Sequence, residues 1–246
     1  MKRLFALILL TTPLPGADLS PVDLRTEYLD RPLAVGTTLP RLSWKLKATE
    51  PTARDLKQSA YEIQTAREAD GFDGTPLWTS GKVSSAQTAQ IELTAKLKSR
   101  DRLAWRVRVW DGKDGASEWS APATFGIGLL EPADWTALWI SAKDDQAFTT
   151  KENVQNFVGD PKRGTLHLTP AKYFRKEFEA PSIIRATLHA TALGVYTVEI
   201  NGQRVSDERL APGWSAYQCR VNSQTYDVTK LVRAGKNAIG ATLADG

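Results

Sequence analysis

The segment Val195–Val205, V-Y-T-V-E-I-N-G-Q-R-V, alternates polar and apolar residues around Asn201-Gly202. Alternation at period two marks a strand with one buried face. Joining two such runs through only two residues requires a type I′ turn. Both of its central residues take positive φ, and Asn-Gly tolerates this best. The segment therefore predicts an antiparallel hairpin and excludes a helix. A Pro212-Gly213-Trp214 loop follows, and then a tyrosine-rich stretch from Tyr217 to Tyr226, which reads as a further strand.

The same pattern runs through the first half of the chain. Strand-like pieces fall at Leu24–Tyr28, Leu42–Leu46, Ala60–Thr65, Leu77–Trp78, Gln90–Leu93, Leu103–Trp110 and Ala123–Ile127. Asp73-Gly74, Ser80-Gly81, Asp111-Gly112 and Asp114-Gly115 supply turns between them. Seven short strands at such intervals predict a β-sandwich over residues 18–128. The clearest strand is L-A-W-R-V-R-V-W, with Leu103, Trp105, Val107 and Val109 on a core face and Arg106 and Arg108 on a solvated one. Gly128–Ile140 is richer in Pro and acidic residues. It carries Trp135 and Trp139, and reads as a packed linker over 129–140.

The second module spans 141–246. It opens with a polar stretch, Lys143–Leu168, read as a long excursion. Strands are expected at Tyr173–Phe178 and Arg185–Thr191, then the hairpin. Next comes a single helical turn capped by Asp227 or Thr229 and ended by Gly235, and a last strand at Ala238–Leu243. The fold class is thus all-β, two β-sandwich modules.

Charge is interspersed, 32 basic against 28 acidic residues, so the net charge of +4 forms no nucleic-acid patch. Residues 1–17, with Lys2-Arg3 ahead of the apolar run Leu4–Leu10, have the build of a cleaved signal peptide. The expected location is secreted or periplasmic, with no membrane segment after cleavage. One cysteine, Cys219, rules out an internal disulfide, and it reads as a small buried residue.

P-R-L-S-W (Pro40–Trp44), Q-S-A-Y-E-I (Gln58–Ile63), L-W-T-S-G-K-V (Leu77–Val83), W-R-V-R-V-W-D (Trp105–Asp111) and W-S (Trp119–Ser120) together resemble the fibronectin type III-like front domain of one family, the bacterial α-L-rhamnosidases of glycoside hydrolase family 78. Leu103 stands where that domain tends to carry tyrosine. Asp134-Trp135 and Trp139-Ile140 match its connector, and Ala192–Tyr226 resembles its N-terminal accessory sandwich, a jelly-roll-like domain. The resemblance implies an enzyme that releases terminal α-L-rhamnose with inversion. Its catalytic acids belong to a helical barrel, so no residue here inherits a catalytic role. It also implies that Leu243-Ala244-Asp245-Gly246 stops inside the family's pattern, leaving the second sandwich without its closing strands. The expected partners are rhamnose-containing glycans or glycosides, met through the full-length enzyme, and the catalytic domain itself.

Reading the residues directly nominates no catalytic pair. Asp144-Asp145 reads as a solvated acidic turn, and Glu177, Glu179 and Glu199 fall at solvent-facing strand positions. His167 and His189 are too few and too separated for a zinc site. Asp144, Asp145, Asp207 and Asn201 offer oxygen ligands without any calcium-loop spacing, so neither metal nor cofactor is expected. The surface feature that stands out is Pro212–Arg220. There Trp214 and Tyr217 have the chemistry to stack on a sugar's apolar face, with Arg220 bonding hydroxyls. The competing reading packs this loop on the catalytic domain or into its own core. Two functional readings stand at this point: the non-catalytic N-terminal portion of an exported α-L-rhamnosidase, or a stand-alone secreted carbohydrate-binding or adhesion protein.

Overall fold

The computed structural model describes residues 17–142, 148–150, 166–168 and 170–244. The signal-peptide reading of residues 1–16 and the Asp144-Asp145 turn lie outside them. The chain divides into two compact units at Trp135/Thr136.

The first unit has seven strands: β1 (Leu19–Thr26), β2 (Arg41–Ala48), β3 (Gln58–Arg67), β4 (Trp78–Thr79), β5 (Ile91–Glu92), β6 (Arg102–Asp111) and β7 (Ala123–Gly126). They form one sheet in the order β1-β2-β5 and another in the order β4-β3-β6-β7, all antiparallel. In a constant-type immunoglobulin layout the fourth strand joins the first sheet. Here β4 pairs with β3 instead, giving three strands against four, as the fibronectin-like reading expects.

Leu103, Trp105, Val107 and Val109 all face the core, with Leu42, Trp44, Ile63 and Phe125 around them. Two buried indole N–H groups find partners. Trp105 Nε1–H donates to Thr26 Oγ1 (3.1 Å), and Trp44 Nε1–H donates to Gln58 Oε1 (3.1 Å). The opposite face of β6 differs from the solvated surface expected for it. Arg106 and Arg108 are half-buried there and stacked among aromatic rings.

The first strand also differs from expectation, running from Leu19 rather than Leu24. Pro21 falls within it, and β1 is an edge strand, where proline's missing N–H is tolerated. A bulge with Asp23 at φ 51° shifts the register before Arg25. Glu27 and Tyr28, both at positive φ, then end the strand. After β7 the chain reaches the 3₁₀ turn Pro132–Asp134. Asp134 Oδ2 accepts the N–H groups of Leu130 (3.1 Å) and Glu131 (2.9 Å) and the Ser99 hydroxyl, while Arg100 Nη2 donates to the Asp134 carbonyl (2.7 Å). Beyond this anchor Leu138, Trp139 and Ile140 are exposed.

The second unit begins with a short antiparallel pair, β8 (Phe148–Thr150) with β9 (Leu166–Leu168), inside the stretch expected to be an excursion. The rest of Lys143–Leu168 lies outside the described residues. Then come β10 (Lys172–Ala180), β11 (Thr187–Ala190), β12 (Val195–Ile200), β13 (Gln203–Arg204), β14 (Gln224–Asp227) and β15 (Gly235–Ala244). They make a four-stranded sheet, β10-β15-β12-β13, and a two-stranded one, β11-β14. The core holds Ala192, Tyr196, Val198, Ile200, Ala211, Tyr226 and Val228.

The hairpin turns at Asn201 (φ 53°) and Gly202 (φ 79°), the two positive values a type I′ turn demands. Asn201 also ties the turn down. Its Nδ2–H donates to Asn237 Oδ1 (2.8 Å) and the Leu231 carbonyl (2.9 Å), and its Oδ1 accepts from Ala238 N–H (3.0 Å). After β14 a single turn forms as expected, the Val228 carbonyl accepting from Leu231 and Val232 N–H. Asp227 is its cap, accepting from Thr229 N–H (3.0 Å).

Candidate carbohydrate-contact loop

Leu210–Asn222 leaves the hairpin and returns to β14. Leu210 (φ 56°) and Gly213 (φ 85°) turn the chain sharply, with Gly213 N–H donating to the Leu210 carbonyl (2.9 Å). The base of the loop is fixed to the core. Tyr196 N–H donates to the Ala211 carbonyl (2.8 Å), and Gln224 Nε2–H donates to the Pro212 carbonyl (3.0 Å). On the returning side Thr191 Oγ1–H donates to the Asn222 carbonyl (2.6 Å). A loop with so many tethers presents its outer side chains on a stiff support.

The three nominated residues share this loop but not one environment. Trp214 is 88% exposed, so it takes no part in the unit's own core. Arg220 is exposed as well. Tyr217 is half-buried, and its hydroxyl accepts from Gly194 N–H (3.0 Å), a tether to the start of β12. Trp214 and Arg220 are thus open to solvent while Tyr217 is engaged inward.

Cys219 corrects an expectation: it is exposed, not buried. The Tyr217–Cys219 stretch is a turn rather than a strand, because the Ala216 carbonyl takes the N–H groups of both Cys219 (2.8 Å) and Arg220 (2.9 Å) and winds the chain outward. The expected strand is confined to β14.

Sequence reasoning missed the polar network beneath the loop. Tyr196 and Tyr226 hydroxyls meet at 3.1 Å, Tyr226 O–H reaches Glu208 Oε2 (3.1 Å), and Tyr196 O–H reaches Gln224 Oε1 (3.3 Å). Burial pushes both phenols above their ordinary range. For Tyr226 the Tyr196 hydroxyl and the Glu208 carboxylate add to that upward shift. The available signal was Tyr196 itself, a polar tip sharing a strand face with Val198 and Ile200, which must find partners when buried.

A shallow cleft of about 450 Å³ lies beside the hairpin tip, with Arg175, Glu177, Glu179, Arg233 and Lys236 in its lining. Its charges are mixed, and Arg175 is already paired with Glu177 (2.7 Å). Glu177, Glu179 and Glu199 are exposed, as their strand positions predict. Among the described residues no group of three or more His, Cys, Asp and Glu is placed to hold a metal ion. Nor is any helix among them long and apolar enough to cross a membrane.

The displaced carboxylates all move one way. Asp23 is lowered by hydrogen bonds from Lys45 and Arg25, Glu27 by Arg41, and Asp134 by the Ser99 hydroxyl and Glu131 N–H. Burial pushes Asp111 up, but N–H bonds from Lys113, Gly115 and Asp18 outweigh it. A glycosidase general acid needs the opposite, a carboxyl kept protonated by a raised pKa.

Residues 21–131 match the family of Rha78A-like N-terminal immunoglobulin domains, and residues 181–246 match the α-L-rhamnosidase N-terminal domain. The chain carries the N-terminal domains of the α-L-rhamnosidase family. It is 36% identical over 226 residues to an α-L-rhamnosidase of Formosa agariphila, a match covering 90% of this chain and 23% of that protein. Among solved structures, the α-L-rhamnosidase from Dictyoglumus thermophilum superposes with a TM-score of 0.81 at 35% identity, covering 92% of this chain and 25% of that one. The native enzyme from Aspergillus terreus follows at 0.74 and 32%, covering 93% and 24%. The chain therefore spans about a quarter or less of the length of these relatives. The nominated loop falls inside the rhamnosidase N-terminal domain match.

Proposed function

We propose that this chain is the exported, non-catalytic N-terminal part of an α-L-rhamnosidase, and that its second module meets rhamnose-containing glycans or glycosides through Trp214 and Arg220. The first module serves as a spacer and packing partner, and the second supports the catalytic domain. The observation that carries this reading is the pair of family matches in order along the chain. They lie within the match to the Formosa agariphila protein, which takes in nine-tenths of this sequence and under a quarter of that relative.

The test uses the full chain as it stands. Purified protein should leave a chromogenic α-L-rhamnoside unhydrolysed, whereas turnover that survives repeated purification would refute the non-catalytic reading. The same preparation, titrated with L-rhamnose and followed by tryptophan fluorescence, should show a saturable change that Trp214→Ala abolishes. An unchanged titration in Trp214→Ala would remove the sugar contact and leave the loop as a docking element for the catalytic domain.

A further inference from the structure

The free edge of β6 is covered in two different ways. From Arg102 to Trp105 it pairs with β7. Beyond Trp105, the irregular segment Ser117–Ser120 takes over. Ser117 and Ser120 N–H groups donate to the carbonyls of Val109 (2.8 Å) and Val107 (2.9 Å). In return, Val109 and Val107 N–H groups donate to Ser117 Oγ (3.0 Å) and Ser120 Oγ (3.1 Å). Two serine hydroxyls thus stand where a neighbouring strand would place carbonyls. The segment is short and irregular, held to β6 by four bonds, and Ser117 Oγ–H donates onward to the Glu118 carbonyl (2.8 Å).

Between the serines, Trp119 lies on the outer face of the sheet. The guanidinium carbons of Arg106 and Arg108, successive outward residues of β6, sit 4.6 Å and 4.8 Å from its ring centre. Arg106 is also 4.4 Å from the Phe72 ring, Arg108 is 5.0 Å from Trp110, and Lys82 Nζ is 4.7 Å from Trp110. Aromatic and cation therefore alternate through Phe72, Arg106, Trp119, Arg108, Trp110 and Lys82. The guanidinium edges are held from β3: Arg106 Nη2 donates to Gln64 Oε1 (2.8 Å) and Arg108 Nη2 to Glu62 Oε2 (2.6 Å). Their flat faces remain to stack, and Trp119 fills the space between two like charges that repel each other.

We infer that the Arg106–Trp119–Arg108 sandwich is a latch, one that keeps Ser117–Ser120 on β6 and so covers the Val107–Val109 edge of the four-stranded sheet. An uncovered edge of this kind is a template for pairing with another chain. The latch closes the sheet with four residues of irregular backbone where an eighth strand would otherwise be needed.

The discriminating variants, made in the full chain, are Trp119→Phe, which keeps a π face, and Trp119→Leu, which keeps apolar bulk. With Leu, the first module should melt about 5–10 °C lower. Amide exchange at Val107, Val109, Ser117 and Ser120 should quicken about tenfold beyond the rest of the module. Phe should retain most of both. If Leu and Phe behave alike, or if exchange rises evenly across the module, the latch is wrong and Trp119 is ordinary packing. Should Trp119→Leu fail to fold, Arg106→Met answers the same question, since its partner Gln64 is neutral and no buried charge is stranded. It should quicken exchange at those four amides, and an unchanged exchange pattern would overturn the inference.

Discussion

In the first module Leu42, Ile63, Trp105, Val107 and Val109 are each 0% exposed, whereas in the second the best-buried large residues, Ile200 and Val228, keep 2–3%, and Tyr196, Val198 and Tyr226 keep 7–8%. Both modules are antiparallel and built from similar alternating segments, so the difference comes from layering. Three strands facing four cover both inner surfaces of the first sandwich. Among the described residues of the second, two strands, β11 and β14, face four. Among the described residues, β15 is half-exposed over most of its length, and Phe174 and Phe178 of β10 stay outside the buried cluster. A strand pattern promises a buried face, but only an opposing layer of matching width delivers it.

The largest consequence is a contrast in the cost of core truncation. Trp105→Ala should destabilise the first module by about 3–5 kcal/mol, because it opens a cavity at a closed site and strands the Thr26 hydroxyl that accepted from its indole. Ile200→Ala in the second module should cost only about 2 kcal/mol, since its half-buried neighbours Leu231 and Ile239 can collapse inward. Urea unfolding with each module's amides followed separately measures both. Equal losses would mean that the second core is as closed as the first.

What could be read in advance follows from how local each determinant is. Asn201-Gly202 carries its own turn geometry, and Leu103–Val109 carries its own face, so both were legible. The start of β1 was not, because tolerance of Pro21 depends on an edge position set only by the fold, and the Asp23 bulge displaces the register. The stacking of Arg106 and Arg108 depends on Trp119 and Phe72, which reach them only after folding. At the loop, sequence marked Trp214 as a surface aromatic through its Pro-Gly setting. It could not reveal that the Tyr217 hydroxyl is occupied by Gly194, nor that the Ala216 carbonyl turns Cys219 outward.

A smaller effect probes how the second core holds its polar atoms. Tyr226→Phe removes the bonds to Tyr196 and Glu208 and should cost about 1 kcal/mol, read as a lower urea midpoint with unchanged slope. The folded phenols of Tyr196 and Tyr226 titrate higher than in the unfolded chain. Their contribution is therefore present below about pH 10 and lost as pH rises toward the folded values. Tyr61, raised by burial, gives the first module a share of the same alkaline loss. Tyr226→Phe should flatten the alkaline decline of the second module alone, and an undiminished decline would place its origin elsewhere.

At acid pH the two modules should part. The carboxylates held low by partners, Asp23, Glu27, Asp111 and Asp134, all belong to the first module. A folded pKa below the unfolded one stabilises above the unfolded value, near pH 4, and that stability drains as pH falls through the folded value. The first module should therefore lose stability below about pH 4, with Asp111 the most informative contributor, because its partners are backbone N–H groups that salt cannot screen away. Asp111→Asn retains an oxygen for Lys113 (2.8 Å) and Gly115 (3.0 Å) N–H, gives up the longer bond from Asp18 N–H (3.3 Å), and removes the titrating charge. Of the changes considered it should have the smallest effect at neutral pH, and it should shift the acid midpoint of the first module downward without moving that of the second. An acid midpoint common to both modules, insensitive to Asp111→Asn, would show that general charge repulsion rather than these specific bonds governs acid unfolding.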